Sequence, residues 1–141
     1  MEDMTRIPPH SVESEQSILG SILLDKDAII TVTETIKPDD FYKEAHKIIY
    51  ECMITLSNKG EPIDLITLTE ELRKQGHLND IGGISYITSL STIVPTTSNV
   101  KYYADIVKEK SVLRKLIKAS NEIINLGYSG ATKIEDVLEQ A

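Results

Sequence analysis

The run from Pro95 to Gly127, PTTSNVKYYADIVKEKSVLRKLIKASNEIINLG, contains no Pro or Gly between its ends. Such a stretch favours one long helix and leaves little room for anything else. Ser98 or Asn99 can cap its start, since a short side-chain oxygen accepts from an unpaired first-turn N–H. Gly127 suits the left-handed position that closes a helix. At about 1.5 Å per residue the helix is roughly 40 Å long, against a mean of about 11–12 residues in globular proteins. Its apolar residues do not form one stripe. Tyr102, Ile106, Leu113, Ile117 and Ile124 follow spacings of 4, 7, 4 and 7, the pattern of a helix–helix seam. Val100, Tyr103 and Val107 widen that stripe to one side early on; Val112, Leu116, Ile123 and Leu126 widen it to the other later. An arc that shifts along a helix implies two packing partners: a compact body for the first half and a partner helix for the second.

The rest of the chain can supply that body. With 141 residues there is enough chain for one real core. A 40% hydrophobic and 26% charged composition excludes disorder, and no apolar run reaches the roughly 20 residues of a membrane span. The opening MEDMTRIPPHS lacks the basic-then-apolar pattern of a signal peptide. One cysteine, Cys52, can form no internal disulfide, which fits a cytoplasmic protein. A formal charge of −7 argues against clamping a phosphate backbone unaided.

Several shorter helices precede the long one. SVESEQSILGSILLD opens with Ser11 as N-cap, Glu13 and Glu15 against the helix dipole, and Val12, Leu19, Ile22 and Leu23 facing inward. Gly20 within it points to close approach of another helix. A second helix spans about 27–36 on Ile29, Val32, Thr33 and Ile36. Asp39 or Asp40 caps the core helix, whose face is Phe41, Ala45, Ile48, Ile49, Cys52, Met53 and Leu56. Thr67 with Glu70 reads as a capping box for a short helix with Leu68 and Leu72 inward and Gly76 at its end. ISYITSLSTIV forms a further short helix stopped by Pro95. After the long helix, Thr132 and Glu135 form another box, and Ile134, Val137, Leu138 and Ala141 continue at i, i+3, i+4, i+7. Because the chain stops inside this periodic run, it reads as a fragment cut within a return helix. The expected fold is all-α: a tail over 1–10, a globular helical head over 11–97, and a truncated helical hairpin over 98–141, with a long helix at 98–126 and a return helix at 133–141.

Catalytic patterns are scarce. No glycine precedes the Lys-Ser/Thr pair of a phosphate loop, so no nucleotide hydrolysis is assigned to these residues. His10, His46 and His77 lack metal-ligand spacing; His46 reads as a hydrogen-bonded interior or boundary side chain. Cys52 reads as buried filler. Asp39/Asp40 and Glu70/Glu71 lie at helix starts, where capping accounts for them. The expectation is no catalytic, cofactor or metal site. Lys101, Lys108, Lys110, Arg114, Lys115 and Lys118 give the long helix a basic cluster: a solvated face with i,i+4 pairs such as Lys101–Asp105, or a contact for an acidic partner or DNA strand.

PPHSVESEQSILGSILLD, DDFY, EPIDLITL, GGISYITSL and PTTSNVKYYADIVKEKSVLRKLI occur in this order. Together they resemble the N-terminal domain of DnaB-type replicative DNA helicases, from Ile7 to Ala141. The resemblance implies a non-catalytic collar domain of a homohexamer, arranged as a trimer of dimers with hairpins pairing between neighbours. It further implies an ATP-dependent parent that unwinds DNA at the replication fork. ATP, Mg and most DNA contact would belong to a RecA-like motor domain absent from these residues. Partners implied are a second copy, the C-terminal domain of a DnaG-type primase, and a helicase loader. For primase contact the candidates are Tyr86, Leu116, Ile117 and Ile123; Tyr86 lies about 100° around its helix from Ile87 and need not share its buried face. These four could instead fill the core or the hairpin seam. Candidates for the oligomer seam are Leu113, Ile124, Leu126, Ile134, Val137 and Leu138. A free-standing helical adaptor or DNA-binding regulator is the alternative; it would need a basic, exposed recognition helix.

Overall fold

A computed structural model describes residues 6–93 and 99–130, together with 134, 138 and 139. The described residues form helices and no strand: α1 (Val12–Leu24), α2 (Ala28–Thr33), a 3-10 turn (Pro38–Asp40), α3 (Glu44–Asn58), α4 (Leu65–Gln75), α5 (Gly83–Ile93) and α6 (Val100–Ser129). They fall into two units, a head over His10–Ser111 and a second unit built from the first nine residues with Val112–Ala141.

The head is arranged around α3. Ile49, Tyr50, Cys52, Met53 and Leu56 are buried along its inner face, with Phe41 just before it. Ile18, Leu19 and Ile22 of α1, Leu68 and Leu72 of α4, and Ile87 and Leu90 of α5 complete the core. Each such side chain contributes about 1.5–3 kcal/mol on burial. The Tyr50 hydroxyl donates to the Ile36 carbonyl at 3.0 Å, so the core's largest polar tip is satisfied. Burial pushes the Cys52 thiol up to about 12, with Glu71 adding to the rise. A thiol held that far from ionising is not a nucleophile at neutral pH.

Helix ends differ from the sequence expectation in several places. Ser11 caps α1 as expected: its backbone is extended and its Oγ accepts from the Ser14 N–H at 3.3 Å. At α4 the N-cap is Asp64, not Thr67. Thr67 is the N3 residue, its N–H donating to Asp64 Oδ1 at 2.8 Å while its Oγ1 accepts from the Asp64 N–H. Glu70, freed from capping, pairs with Arg73. Asp40 does not cap α3. One of its oxygens accepts the Lys37 N–H at 2.8 Å, closing the 3-10 turn, and the other accepts from Ser111 Oγ at 2.6 Å. The second helix is shorter than expected, ending at Thr33, which is exposed. Gly76 takes a left-handed φ of +80° after α4, as anticipated.

The first part of α6 belongs to the head. Its buried residues are Val100, Ala104, Val107 and Ser111, at i, i+4, i+7 and i+11. Tyr102, assigned by spacing to the main seam, is 65% exposed. The flanking row is the one buried against the head, and Ser111 at its end donates to Asp40 of the 3-10 turn. Helix α6 also runs through Gly127, and Gly130, at φ +66°, takes the left-handed position after Ser129. The proposed caps Ser98 and Thr132/Glu135, and Pro95, lie outside the described residues.

Candidate protein-interaction surfaces

Two arrangements stand out, one in each unit. In the head, Glu15 at the start of α1 is 1% exposed and fully engaged. Its Oε2 accepts the Tyr42 N–H at 2.6 Å and its Oε1 accepts the Lys43 N–H at 3.3 Å. Lys43 is the N-cap residue of α3, so α3 is capped from across the fold by a carboxylate on α1. The same Oε1 lies 2.7 Å from His46 Nδ1, and His46 Nε2 lies 2.5 Å from the Tyr86 hydroxyl. Gln16 Nε2 donates to that hydroxyl at 3.3 Å. One proton arrangement satisfies every member: Gln16 to Tyr86, Tyr86 to His46 Nε2, and His46 Nδ1–H to Glu15. The carboxylate thereby selects the His46 tautomer. Among the described residues no buried side-chain nitrogen or oxygen lacks a partner.

His46 is thus the hydrogen-bonded interior residue its position on the core helix suggested. Tyr86 is half-buried, next to fully buried Ile87. The Glu15–His46–Tyr86 connection was not legible: its members are 31 and 40 residues apart, and Glu15 had offered only a helix-dipole role. Gly82 was also missed as a participant. It adopts φ +104°, and a Cβ there would sit 2.9 Å from the Tyr86 Cβ.

In the second unit, Arg114 Nη1 donates to the Pro9 carbonyl at 2.8 Å, tying residue 9 to α6. Beyond Ser111 no described residue of α6 is buried. Leu116 is 62% exposed, and Ile117, Ile123 and Ile124 about half exposed. Leu113 is exposed and Leu126 half-buried; Ile134 and Leu138 are exposed, and Val137 lies outside the described residues. At about 100° per residue, Val112, Leu116, Ala119, Ile123 and Leu126 fall on one line of the helix, and Leu113, Ile117, Ser120 and Ile124 on the next. The result is a largely apolar arc of about 180°, with Arg114, Lys118, Asn121 and Asn125 opposite. An apolar face of that width, open to water, is a candidate interaction surface. Tyr128, 89% exposed, was not anticipated.

The basic cluster is partly spent on pairs. Lys101 Nζ lies 2.7 Å from Asp105 Oδ1, the anticipated i,i+4 pair, and Lys108 Nζ lies 3.7 Å from Asp40 Oδ2. Among the described residues no group of three or more His, Cys, Asp or Glu could hold a metal ion. No described helix is long and apolar enough to cross a membrane.

Among the described residues, then, the chain joins a helical head whose polar interior is internally satisfied to an amphipathic helix with an apolar arc open to water, a candidate protein-interaction surface. Residues 7–109 match the family profile described as DnaB-like helicase N terminal domain. The chain belongs to that family. It is 45% identical over 136 residues to the replicative DNA helicase DnaC of Bacillus subtilis, covering 96% of this chain and 30% of that protein. Its fold superposes on the crystal structure of the N-terminal domain of DnaB helicase from Mycobacterium tuberculosis with a TM-score of 0.90. That pair shares 42% identity and covers 95% of this chain and 94% of the other. A DnaB-like replicative helicase, solved for its interactions with primase, matches with a TM-score of 0.71 and 31% identity over 82% of this chain and 27% of that one. The chain therefore spans about 30% of the length of the curated relative it matches, and the all-α fold is that of the family.

Proposed function

We propose that this chain is the collar domain of a hexameric replicative DNA helicase, holding subunits together and docking a DnaG-type primase. The observation that carries this reading is the exposed apolar arc of α6 beyond Ser111 in a member of the DnaB-like N-terminal family. Leu113, Ile124, Leu126, Ile134, Val137 and Leu138 serve the seam with a second copy. Leu116, Ile117 and Ile123, and Tyr86 in the head, receive the C-terminal domain of the primase. The relative solved for its interactions with primase supports such a partner for this family member.

The unwinding of DNA, the ATP and Mg it uses, and most DNA contact are assigned to a motor elsewhere in the same polypeptide. The hexamer is a trimer of dimers, a helicase loader acts on it, and the protein works in the cytoplasm. The domain itself turns over no nucleotide. Titration calorimetry against the primase C-terminal domain tests docking, and sedimentation of the same sample tests pairing. Saturable binding is expected. Measurable ATP hydrolysis by the pure chain would contradict the non-catalytic assignment.

A further inference from the structure

We propose that Glu15, Gln16 and His46 form a positioning clamp that fixes the Tyr86 ring for an incoming protein partner. The inference rests on the docking reading above and adds residues that do not themselves meet the partner. Tyr86 is held at its hydroxyl end by two side chains. Its hydroxyl contacts His46 Nε2 at 2.5 Å and receives Gln16 Nε2 at 3.3 Å. Its ring lies almost parallel to the His46 imidazole, with centroids 5.9 Å apart and planes at 13°. Behind it stands Gly82, where even a methyl group would press on the Tyr86 Cβ at 2.9 Å.

His46 is itself immobilised, being 1% exposed and bound to Glu15 at 2.7 Å, and Glu15 is anchored on the Tyr42 and Lys43 N–H groups. The clamp therefore connects the ring to the start of the core helix. With the hydroxyl committed inward in both its donor and acceptor roles, Tyr86 offers a partner ring surface and no hydroxyl.

The surroundings independently favour a protein contact. From Ile81 to Val100 the chain carries no Asp, Glu, Lys or Arg, in a sequence that is 26% charged. Along α5 the exposed residues are Ile84, Ser85, Thr88, Thr92 and Ile93. Loss of charge at exposed positions around an aromatic is the composition of an interface core. A ring already fixed in the free protein spares the complex the ordering of a mobile side chain, an advantage of roughly 2- to 10-fold in affinity.

The test is calorimetric titration of the primase C-terminal domain into wild type, Tyr86→Phe, His46→Leu and the double variant, each first shown to be folded by urea denaturation. Gln16→Leu replaces His46→Leu should the latter not fold. The clamp predicts a loss of several-fold in affinity for each single variant and no further loss in the double, because both remove the same tether. It also predicts a hydrogen-bonded Tyr86 hydroxyl proton by NMR in wild type that disappears in His46→Leu. Unchanged affinity in Tyr86→Phe and Gln16→Leu, with binding abolished by Tyr86→Ala, would overturn the clamp while leaving docking intact. No binding by wild type would overturn the docking reading, and the clamp with it.

Discussion

The carboxylate of Glu15 receives the Tyr42 N–H at 2.6 Å, so a residue of the first helix caps the entrance to the third, 27 positions later in the chain. Helix starts leave N–H groups without intrahelical partners, and those that do not face water find acceptors elsewhere. Glu15 supplies them and orients His46 with the same group.

Glu15→Ala is therefore expected to destabilise the head by about 1–3 kcal/mol, since it strands a buried imidazole and removes the acceptor of two part-buried N–H groups. Glu15→Gln keeps an acceptor oxygen and should lose less. Urea unfolding followed by circular dichroism measures both; equal losses would show that the charge, and not the acceptor, holds α3.

Gly76 and Gly82 make a matched pair. Both have positive φ, +80° and +104°, but a Cβ at Gly76 meets nothing within 4 Å while one at Gly82 meets Tyr86. Gly76→Ala should cost about 1–2 kcal/mol from backbone conformation alone. Gly82→Ala should cost more and move the Tyr86 ring resonances, which Gly76→Ala leaves in place. Thermal unfolding and NMR of the two variants report the difference.

Acid should weaken the head through Glu71. Hydrogen bonds from Gln75 and then Lys59 hold its carboxyl below the ordinary glutamate value of 4.5. A depressed folded-state value means that the unfolded chain takes up the proton first as pH falls. The stabilisation is complete above about pH 4.5 and is lost as pH drops through the folded-state value. Glu71→Gln should flatten that part of the stability–pH profile without changing its shape above pH 6; an unaltered acid limb would remove Glu71 from the account.

Much of this fold was legible wherever its determinants are local. Ile49, Cys52, Met53 and Leu56 on the inward face of α3, Leu68 and Leu72 in α4, Gly76 at its end and the Lys101–Asp105 pair all follow from spacings of four residues or fewer. Tyr50, fully buried on α3, was not anticipated, and Ala45 and Ile48 are only partly buried. Legibility failed where two local solutions compete or a partner is distant. Asp64–Thr67 and Thr67–Glu70 have the same i,i+3 spacing, and Asp64 prevails. Gly127 and Gly130 both could end α6, and the helix continues to the later one. The row of α6 that meets the head, Val100–Ala104–Val107–Ser111, contains two small residues that hydrophobicity alone undervalues. The capping and clamping roles of Glu15 depend on tertiary contacts that no periodicity encodes.

Ile123 is 48% exposed on α6, so Ile123→Asp should change the stability of the head by no more than about 0.5 kcal/mol. The same substitution should abolish self-association or primase binding, read by sedimentation and calorimetry. Loss of helical circular dichroism would show instead that Ile123 belongs to a core.

The most direct test of the central claim is calorimetric titration of this chain with the C-terminal domain of its cognate DnaG-type primase, with the chain's mass in solution determined by sedimentation. A collar domain predicts saturable binding, lost in Tyr86→Ala and Ile123→Asp. Absence of binding by a sample that sedimentation shows already paired would contradict primase docking and leave subunit association as the role of the exposed helix.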